Sequence, residues 1–157
     1  MWIILWIEWT TKNMLIGEYL HTIDQKNRLS VPSKFRERLG KRVVLTRGLD
    51  KCLFLYAVSD WQEIADKLSK LPVGKAENRS FTRAIIAGAT DLEIDGLGRI
   101  LMPDYLKVYA GLKDAAMIIG VYSRIEIWAP GVWSHYRESA LENVDAVAEK
   151  LGELGLY

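Results

Sequence analysis

The chain has 157 residues, of which 50% are hydrophobic and 26% are charged, and its formal net charge is +1. This composition excludes an intrinsically disordered chain, and the length suits one compact domain or two very small ones that share a core. Near-neutral charge also excludes a uniformly basic protein, so a nucleic-acid partner would have to be held by a local patch.

The first 13 residues, MWIILWIEWTTKN, precede a second methionine, Met14. Their apolar run is broken by Glu8 and is too short to span a bilayer. The segment also lacks the basic region and small-residue cleavage site of a secretory signal. We expect residues 1–13 to be an N-terminal extension from an over-called start codon; the alternative is a genuine edge strand or partner-binding tail.

From Gly17 onward the chain is an internal duplication. Gly17 falls on Gly88 at an offset of 71 residues, and a single one-residue gap changes the offset to 72. The nine identical pairs in this frame are Gly17 and Gly88, Ile23 and Ile94, Asp24 and Asp95, Arg28 and Arg99, Pro32 and Pro103, Gly40 and Gly111, Gly48 and Gly120, Ala57 and Ala129, and Trp61 and Trp133. The two copies are therefore expected to share one fold.

Each copy begins with a strand, a tight loop and a second strand, predicted at 19–23, 24–28 and 29–31 in the first copy and at 92–94, 95–99 and 100–102 in the second. Pro32 and Pro103 then suit the first turn of a short helix, because proline has no N–H to leave unpaired there. Gly40 and Gly111 stand where each helix should end. Two further strands follow, at 43–46 and 52–56 in the first copy and at 117–119 and 124–128 in the second.

Each copy ends in a helix. In the first copy, Ser59 and Gln62 have the spacing of a capping box, and four apolar residues share one face: Trp61, Ile64, Ala65 and Leu68. A linker at 71–75 and a helix through 81–87 connect the copies. The last helix has a long apolar stripe that predicts core or subunit packing; it consists of Trp133, Ala140, Leu141, Val144, Val147, Leu151 and Leu154.

These elements predict a first repeat at 17–60, a helical connection at 61–87, a second repeat at 88–131 and a C-terminal helix at 132–157. The copies are too small, and the linker too short, for independent domains.

The Asp-x-x-x-Arg loop is the repeated element whose side chains can form specific hydrogen bonds and ion pairs. In a tight loop the carboxylate of Asp24 or Asp95 can accept backbone N–H groups or pair with Arg28 or Arg99. Asn27 in the first loop, and the two glycines of the second, tolerate a positive φ. For Asp24, Asp95 and Arg99 we expect a role in bracing the loops.

The two copies differ in charge. Residues 17–47 contain eight basic and three acidic side chains, net +5, whereas residues 88–119 contain three and five, net −2. Because phosphate neutralisation needs concentrated positive charge, the first copy is the candidate DNA-binding half. Its proposed contacts are Lys26, Asn27, Arg28, Lys34 and Arg36.

In this set, Lys26 and Arg28 alternate with polar residues at a hairpin tip, where a lysine or arginine can reach guanine O6 and N7 in the major groove. Lys34 and Arg36 follow on the short helix and suit phosphate contacts. The alternative is that the helix charges are a solvated face.

At this point the residues resemble the MraZ family. The resemblance lies in GEYLHTIDQKNRLSVPSKFR from Gly17, LTRGLD from Leu45, IDGLGRILMP from Ile94 and RIEIW from Arg124, and it extends from about Met14 to about Leu151. It departs from the family at Asn27, where glycine is usual, and in the N-terminal extension.

The resemblance implies a mostly β fold with helices (α+β), in which two tandem AbrB-like swapped-hairpin β-barrel halves form one pseudo-symmetric core with peripheral helices. It also implies a transcriptional regulator of the division and cell-wall gene cluster, in the cytoplasm and nucleoid-associated. The regulator would bind repeated G-rich promoter boxes of double-stranded DNA as a ring-shaped homo-oligomer. Arg28 is then the principal DNA contact, whereas the second loop with Arg99 braces the fold or a subunit interface.

An enzyme is a weak alternative, because the sequence has no P-loop, Rossmann or metal-ligand spacing. Cys52, the one cysteine, lies in an apolar strand and suits a buried thiol better than a nucleophile. We expect no catalytic residue, metal, cofactor, small-molecule substrate or membrane partner. An antitoxin-like protein-interaction module stays open, with the last helix as its binding segment, and RNA binding lacks the usual motifs.

Overall fold

A computed structural model describes residues 14–157, so the predicted N-terminal extension lies outside the described part. The strands are β1 (Leu15–Thr22), β2 (Arg28–Ser30), β3 (Arg42–Arg47), β4 (Leu53–Ala57), β5 (Thr90–Glu93), β6 (Arg99–Leu101), β7 (Ala115–Tyr122) and β8 (Ile125–Trp128). The helices are α1 (Ser33–Leu39), α2 (Val58–Ser69), α3 (Ala76–Thr82), which continues into a π-helical turn (Arg83–Ala87), α4 (Asp104–Tyr109) and α5 (Pro130–Glu153).

Six strands form one antiparallel sheet in which each copy pairs its first strand with the other copy. The order is β1-β7-β8-β4-β3-β5. Thus β1 of the first copy pairs with β7 of the second, and β5 of the second pairs with β3 of the first, around a central β4–β8 pair. Exchanging the two copies reproduces this order in reverse. The α+β class and the two swapped halves around one pseudo-symmetric core are therefore confirmed.

The two remaining strands, β2 and β6, form an antiparallel ribbon that joins the copies a second time. Leu29 pairs with Ile100 at its centre, and both side chains are fully buried. Burial of a side chain of this size contributes about 1.5–3 kcal/mol. The ribbon's inner face thus belongs to the main hydrophobic core, which also takes Phe35 from α1 and Leu106 from α4.

The short helices α1 and α4 lie between the predicted proline and glycine residues, but each proline precedes the first turn and is not part of it. Pro32 and Pro103 have extended ψ angles of 132° and 140° and stand immediately before the first helical residue. Each still contributes its carbonyl oxygen to the first turn, which accepts from Phe35 N and Leu106 N respectively. Gly40 follows α1 with a φ of 77°.

The predicted capping box of α2 is wrong. The helix begins at Val58, directly after the last residue of β4, and no side chain caps it. Ser59 therefore already lies inside the first turn, where it cannot act as the cap. The predicted apolar face is confirmed, because Trp61 and Ile64 are among its half-buried residues.

The long helix α5 packs against the sheet near its start. Trp133 and Tyr136 pack against Trp128 with ring centroids 5.2 and 5.0 Å apart, and Arg137 pairs with Glu18 at 3.6 Å. Further along, the apolar stripe does not pack on the chain's own core: Leu141, Val144, Val147 and Leu151 are between 37% and 59% exposed. Trp133, the first residue of the stripe, packs on the buried Trp128, but for the later residues core packing is excluded within the described chain. Among residues 14–157, none of the helices combines the length and the hydrophobicity that a membrane span requires.

The ribbon geometry predicts opposite effects for two glycines of the second loop. Gly98 has a φ of +79°, and a Cβ there would overlap the guanidinium of Arg36. We expect Gly98→Ala to lower the free energy of unfolding by more than about 1 kcal/mol, because an L side chain is strained in this region. Gly96 has open space around it, so Gly96→Ala should be neutral or stabilising by up to about 1 kcal/mol. Guanidinium denaturation of both variants measures this; equal midpoints would contradict it.

Candidate nucleic-acid interface

The first Asp-x-x-x-Arg loop is closed by the Asp24 carboxylate. Its Oδ1 accepts from the backbone N–H of Lys26 at 2.9 Å and of Arg28 at 3.0 Å, and its Oδ2 accepts from Arg28 Nε at 2.8 Å. Asn27, at the tip, has a φ of 60°, which asparagine tolerates better than most residues. The predicted pairing of Asp24 with Arg28 is therefore present in the structure.

The second loop repeats this geometry. Asp95 Oδ1 accepts from the N–H groups of Leu97 and Arg99 at 2.9 Å each, and Oδ2 accepts from Arg99 Nε at 2.9 Å. Gly98 takes the positive φ that Asn27 takes in the first loop. Both loops therefore have the same backbone conformation, and any difference in their function comes from side chains other than the aspartate and the arginine.

Hydrogen bonding lowers the pKa of both loop carboxyls. For Asp24 the largest cause is the backbone N–H of Arg28, opposed by desolvation and aided by the Arg28 side chain. For Asp95 the largest cause is the backbone N–H of Arg99, with the same opposition from desolvation. Each donor favours the ionised carboxylate, so at neutral pH both carboxylates are charged and orient their arginines through Nε.

The β2–β6 ribbon puts both arginines on one exposed face. Arg28 pairs with Leu101, and Ser30 pairs with Arg99, on either side of the buried Leu29–Ile100 pair. Because side chains alternate between the faces of a strand, these four residues share the outer face. In the part of the chain that the structure describes, neither terminal guanidinium nitrogen of Arg28 has a hydrogen-bond partner. Arg28 is thus aimed outward with two donor groups available.

The tips of the loops are tied to the opposite repeat. Asn27 O accepts from Met102 N at 2.7 Å, and Gly98 O accepts from Val31 N at 2.8 Å, as the pseudo-symmetry requires. The side chain of Arg36 lies over Gly98 and donates from Nε to Val31 O at 2.9 Å. The predicted contact residues Asn27 and Arg36 are therefore engaged within the chain.

Several of the eight basic side chains in residues 17–47 are paired within the chain, so fewer are available to a partner than the charge count indicates. Arg38 pairs with Asp60 at 2.6 Å, and Arg42 pairs with Asp91. Arg47 donates to Ala84 O at 3.1 Å and lies over the rings of two tyrosines. By contrast Lys26 and Lys34 are exposed, and neither has an ion-pair partner among the described residues. Arg28 and these two lysines are the predicted contacts whose charge faces outward, and Lys41, after α1, is a further exposed cation without an ion pair among the described residues.

The matching surface of the second repeat is apolar, which the sequence interpretation missed. Leu97, Leu101, Tyr105 and Val108 are 69%, 59%, 45% and 80% exposed. At the offset of 71 residues these positions align with Lys26, Ser30, Lys34 and Glu37. The repeat alignment already contained this signal. The structure shows that the substitutions lie on equivalent surfaces, one polar and basic and the other apolar.

A second missed feature is the pair of α4 residues that contact the first loop. Asn27 Nδ2 donates to Asp104 Oδ1 at 3.0 Å, and Lys107 Nζ donates to Asn27 Oδ1 at 2.7 Å. Lys107 aligns with Arg36 in the repeat, so each short helix sends one cation to the opposite loop tip. No short-range pattern in the sequence predicts a contact between residues about 80 positions apart.

The side chains outside the loops give little support to a catalytic function. Burial raises the pKa of the Cys52 thiol to about 12, and the nearby Glu126 carboxylate adds to this. At neutral pH the thiol is therefore protonated and a poor nucleophile. Within residues 14–157, no group of His, Cys, Asp and Glu is arranged to hold a metal ion.

Comparison with known proteins gives one consistent result. A family model described as "MraZ protein, putative antitoxin-like" matches residues 14–84 and again 85–153, which fits tandem AbrB-like halves. Proteins named "Transcriptional regulator MraZ" from Alkaliphilus metalliredigens and Caldicellulosiruptor bescii are 47% and 48% identical to this chain over 143 residues. A protein of the same name from Clostridium beijerinckii is 46% identical. Each alignment covers 91% of this chain and 100% of the relative.

The lowered pKa values of Asp24 and Asp95 predict how stability depends on pH. Between the lowered pKa of the folded chain and the ordinary value of 3.8, the unfolded chain binds more protons. Stability therefore rises with pH in this window and falls as the pH drops through it. We expect the double variant Asp24→Asn, Asp95→Asn to lose this dependence. Urea unfolding from pH 2 to 7 measures it, and an unchanged acid slope in the variant would contradict the assignment.

Proposed function

This chain belongs to the MraZ family, and we propose that it is a transcriptional regulator that binds double-stranded DNA through the outer face of the β2–β6 ribbon and the first loop. The resemblance further suggests repeated G-rich promoter boxes at the division and cell-wall gene cluster, which would associate the protein with the nucleoid. The observation that best supports DNA binding by the first loop is that Arg28 lies beside the exposed Lys26 and Lys34, whereas Arg99, held in the same way, has Leu97 and Tyr105 at the aligned positions. Asp24 holds Arg28 through Nε, so both terminal nitrogens point outward from an exposed ribbon.

The contact residues divide by their surroundings. A guanidinium with two available donors suits bidentate contact with guanine O6 and N7, and Lys26 lies beside it at the tip. Lys34, on exposed α1, suits a phosphate. Arg36 can add a phosphate contact through its terminal nitrogens while its Nε stays on Val31 O. Asn27 contributes by shaping the tip, because both of its side-chain polar groups are engaged.

A ring-shaped homo-oligomer would make this small interface effective. One loop and one short helix bury little surface, whereas several copies on one assembly raise the effective concentration at neighbouring boxes. The exposed stripe of α5 supports such an assembly, since a run of unpaired apolar side chains on a helix of 24 residues is suited to packing against another subunit. A ring requires a contact between two different surfaces of the subunit.

A protein-interaction module is the second candidate function. The description of the family includes "antitoxin-like", and the same α5 stripe would then bind a different protein instead of another subunit.

Arg28→Ala tests the DNA-binding proposal, with Arg99→Ala as its matched control. Each variant removes the arginine side chain of one Asp-x-x-x-Arg loop and leaves the loop aspartate with its backbone N–H donors only. We expect Arg28→Ala to weaken binding to a duplex from the promoter of the gene that encodes this chain by about ten- to a hundred-fold, which corresponds to one base contact. Arg99→Ala should weaken it much less. Fluorescence anisotropy at several salt concentrations measures both.

Lys34→Ala belongs in the same salt series. If Lys34 contacts a phosphate, its removal should reduce the magnitude of the slope of log K against log salt by about one, on promoter and unrelated DNA alike. If wild type does not bind the promoter duplex, or if Arg28→Ala binds as well as wild type, the proposed role of the first loop is wrong.

The double variant Leu141→Glu, Val144→Glu tests the use of the α5 stripe. Two carboxylates on the stripe should oppose its burial, so we expect an oligomeric wild type and a variant of lower mass with unchanged circular dichroism. Val73 is another exposed valine and lies in the connection between the repeats. The Val73→Glu variant should therefore stay oligomeric. Light scattering after size exclusion measures the masses. A monomeric wild type would instead favour a different protein as the partner of α5.

A further inference from the structure

We infer that the second repeat positions the DNA-reading loop of the first, through hydrogen bonds from Asp104 and Lys107 to Asn27, which we call the Asn27 bridge. This inference rests on the proposed function and deepens it. It assigns a specificity role to two α4 residues, and it gives Asn27 an indirect role in DNA recognition.

The bridge uses every polar group of the Asn27 side chain. Asp104 accepts from its Nδ2 at 3.0 Å, and Lys107 donates to its Oδ1 at 2.7 Å. Its backbone oxygen also accepts from Met102 N at 2.7 Å. Three hydrogen bonds from one segment of the second repeat therefore hold a single tip residue.

Asn27 is the residue for which a fixed position matters most. It separates Lys26 from Arg28, the two side chains proposed to reach bases, and its positive φ sets the direction in which the chain leaves the tip. A loop that is ordered before binding does not have to be ordered by the DNA. Because a bidentate contact requires correct geometry, a looser tip should lose more affinity for the correct sequence than for unrelated DNA.

The second loop lacks such a bridge, because Gly98 has no side chain to hold. Arg36, the counterpart of Lys107, covers Gly98 and binds Val31 O instead. The bridge therefore exists only at the loop with the outward basic charge. It also depends on the amide side chain of Asn27, which makes both bonds.

Removing the charge of Asp104 is a useful test, because electrostatics alone and the Asn27 bridge predict opposite changes in affinity for the promoter duplex. Asp104 is exposed, so on electrostatic grounds alone Asp104→Ala should tighten binding to any DNA. The Asn27 bridge predicts that Asp104→Ala weakens binding to the promoter duplex by about three- to ten-fold, the equivalent of one hydrogen bond. Binding to a shuffled duplex of the same length and composition should be unchanged or tighter.

Two matched controls separate the bridge from general charge. Asp114→Ala removes another exposed carboxylate of the second repeat and should not lower the ratio of promoter to shuffled affinity. Lys107→Met should lower that ratio, whereas Lys113→Met, which removes the same charge, should weaken both duplexes equally. Thermal unfolding and size exclusion show whether each variant keeps its fold and mass. If Asp104→Ala disturbs α4, Lys107→Met tests the bridge from its other side.

A double-mutant cycle gives the decisive comparison. In an Asn27→Gly background, which keeps a residue that tolerates positive φ, Asp104→Ala should cause no further loss of specificity. Additive losses would mean that Asn27 contacts DNA directly and would overturn the bridge. So would an unchanged affinity ratio in Asp104→Ala and Lys107→Met while wild type still discriminates, and the proposed function would then stand. If wild type itself does not discriminate between the duplexes, the proposed function fails and the inference fails with it.

Discussion

The pairing of Leu29 with Ile100 at the centre of the β2–β6 ribbon is the contact on which the rest of this structure depends. Each strand has only three residues, far too few for an independent element. The pair buries one side chain from each repeat in the common core, and the same ribbon brings each loop tip to the backbone of the other repeat. The position of one loop is therefore fixed by the repeat to which it does not belong.

The aspartates make this arrangement independent of most surface residues. Asp24 and Asp95 close their loops through backbone N–H groups and one arginine Nε, and apart from that arginine no outward side chain takes part in these contacts. The surface around each loop could consequently change without loss of the backbone geometry. One repeat presents Lys26 where the other presents Leu97. The proposed DNA contact is assigned to the first loop by its side-chain chemistry, since the geometry of the two loops is the same.

The sequence predicted well what is determined by backbone conformation. The nine identities include glycine, proline, aspartate and arginine, residues that fix turns and loops, and they located nearly all strands and helices. Other features depend on distant residues. Counting charges could not show that Arg38, Arg42 and Arg47 are engaged elsewhere in the fold. Apolar periodicity could not show that most of the α5 stripe stays outside the core, because the same pattern serves core and interface alike.

Strand exchange has a consequence for how such a chain could evolve. A single repeat would expose β1 or β5 and half a ribbon, so it could complete this sheet only by pairing with a second copy of itself. In a dimer of identical chains, every substitution alters both loops at once, and a change that helps one surface is forced on the other. Joining the two copies in one polypeptide removes that coupling, because each loop is then encoded by its own codons. The fused chain can therefore carry an asymmetric surface on a nearly symmetric scaffold.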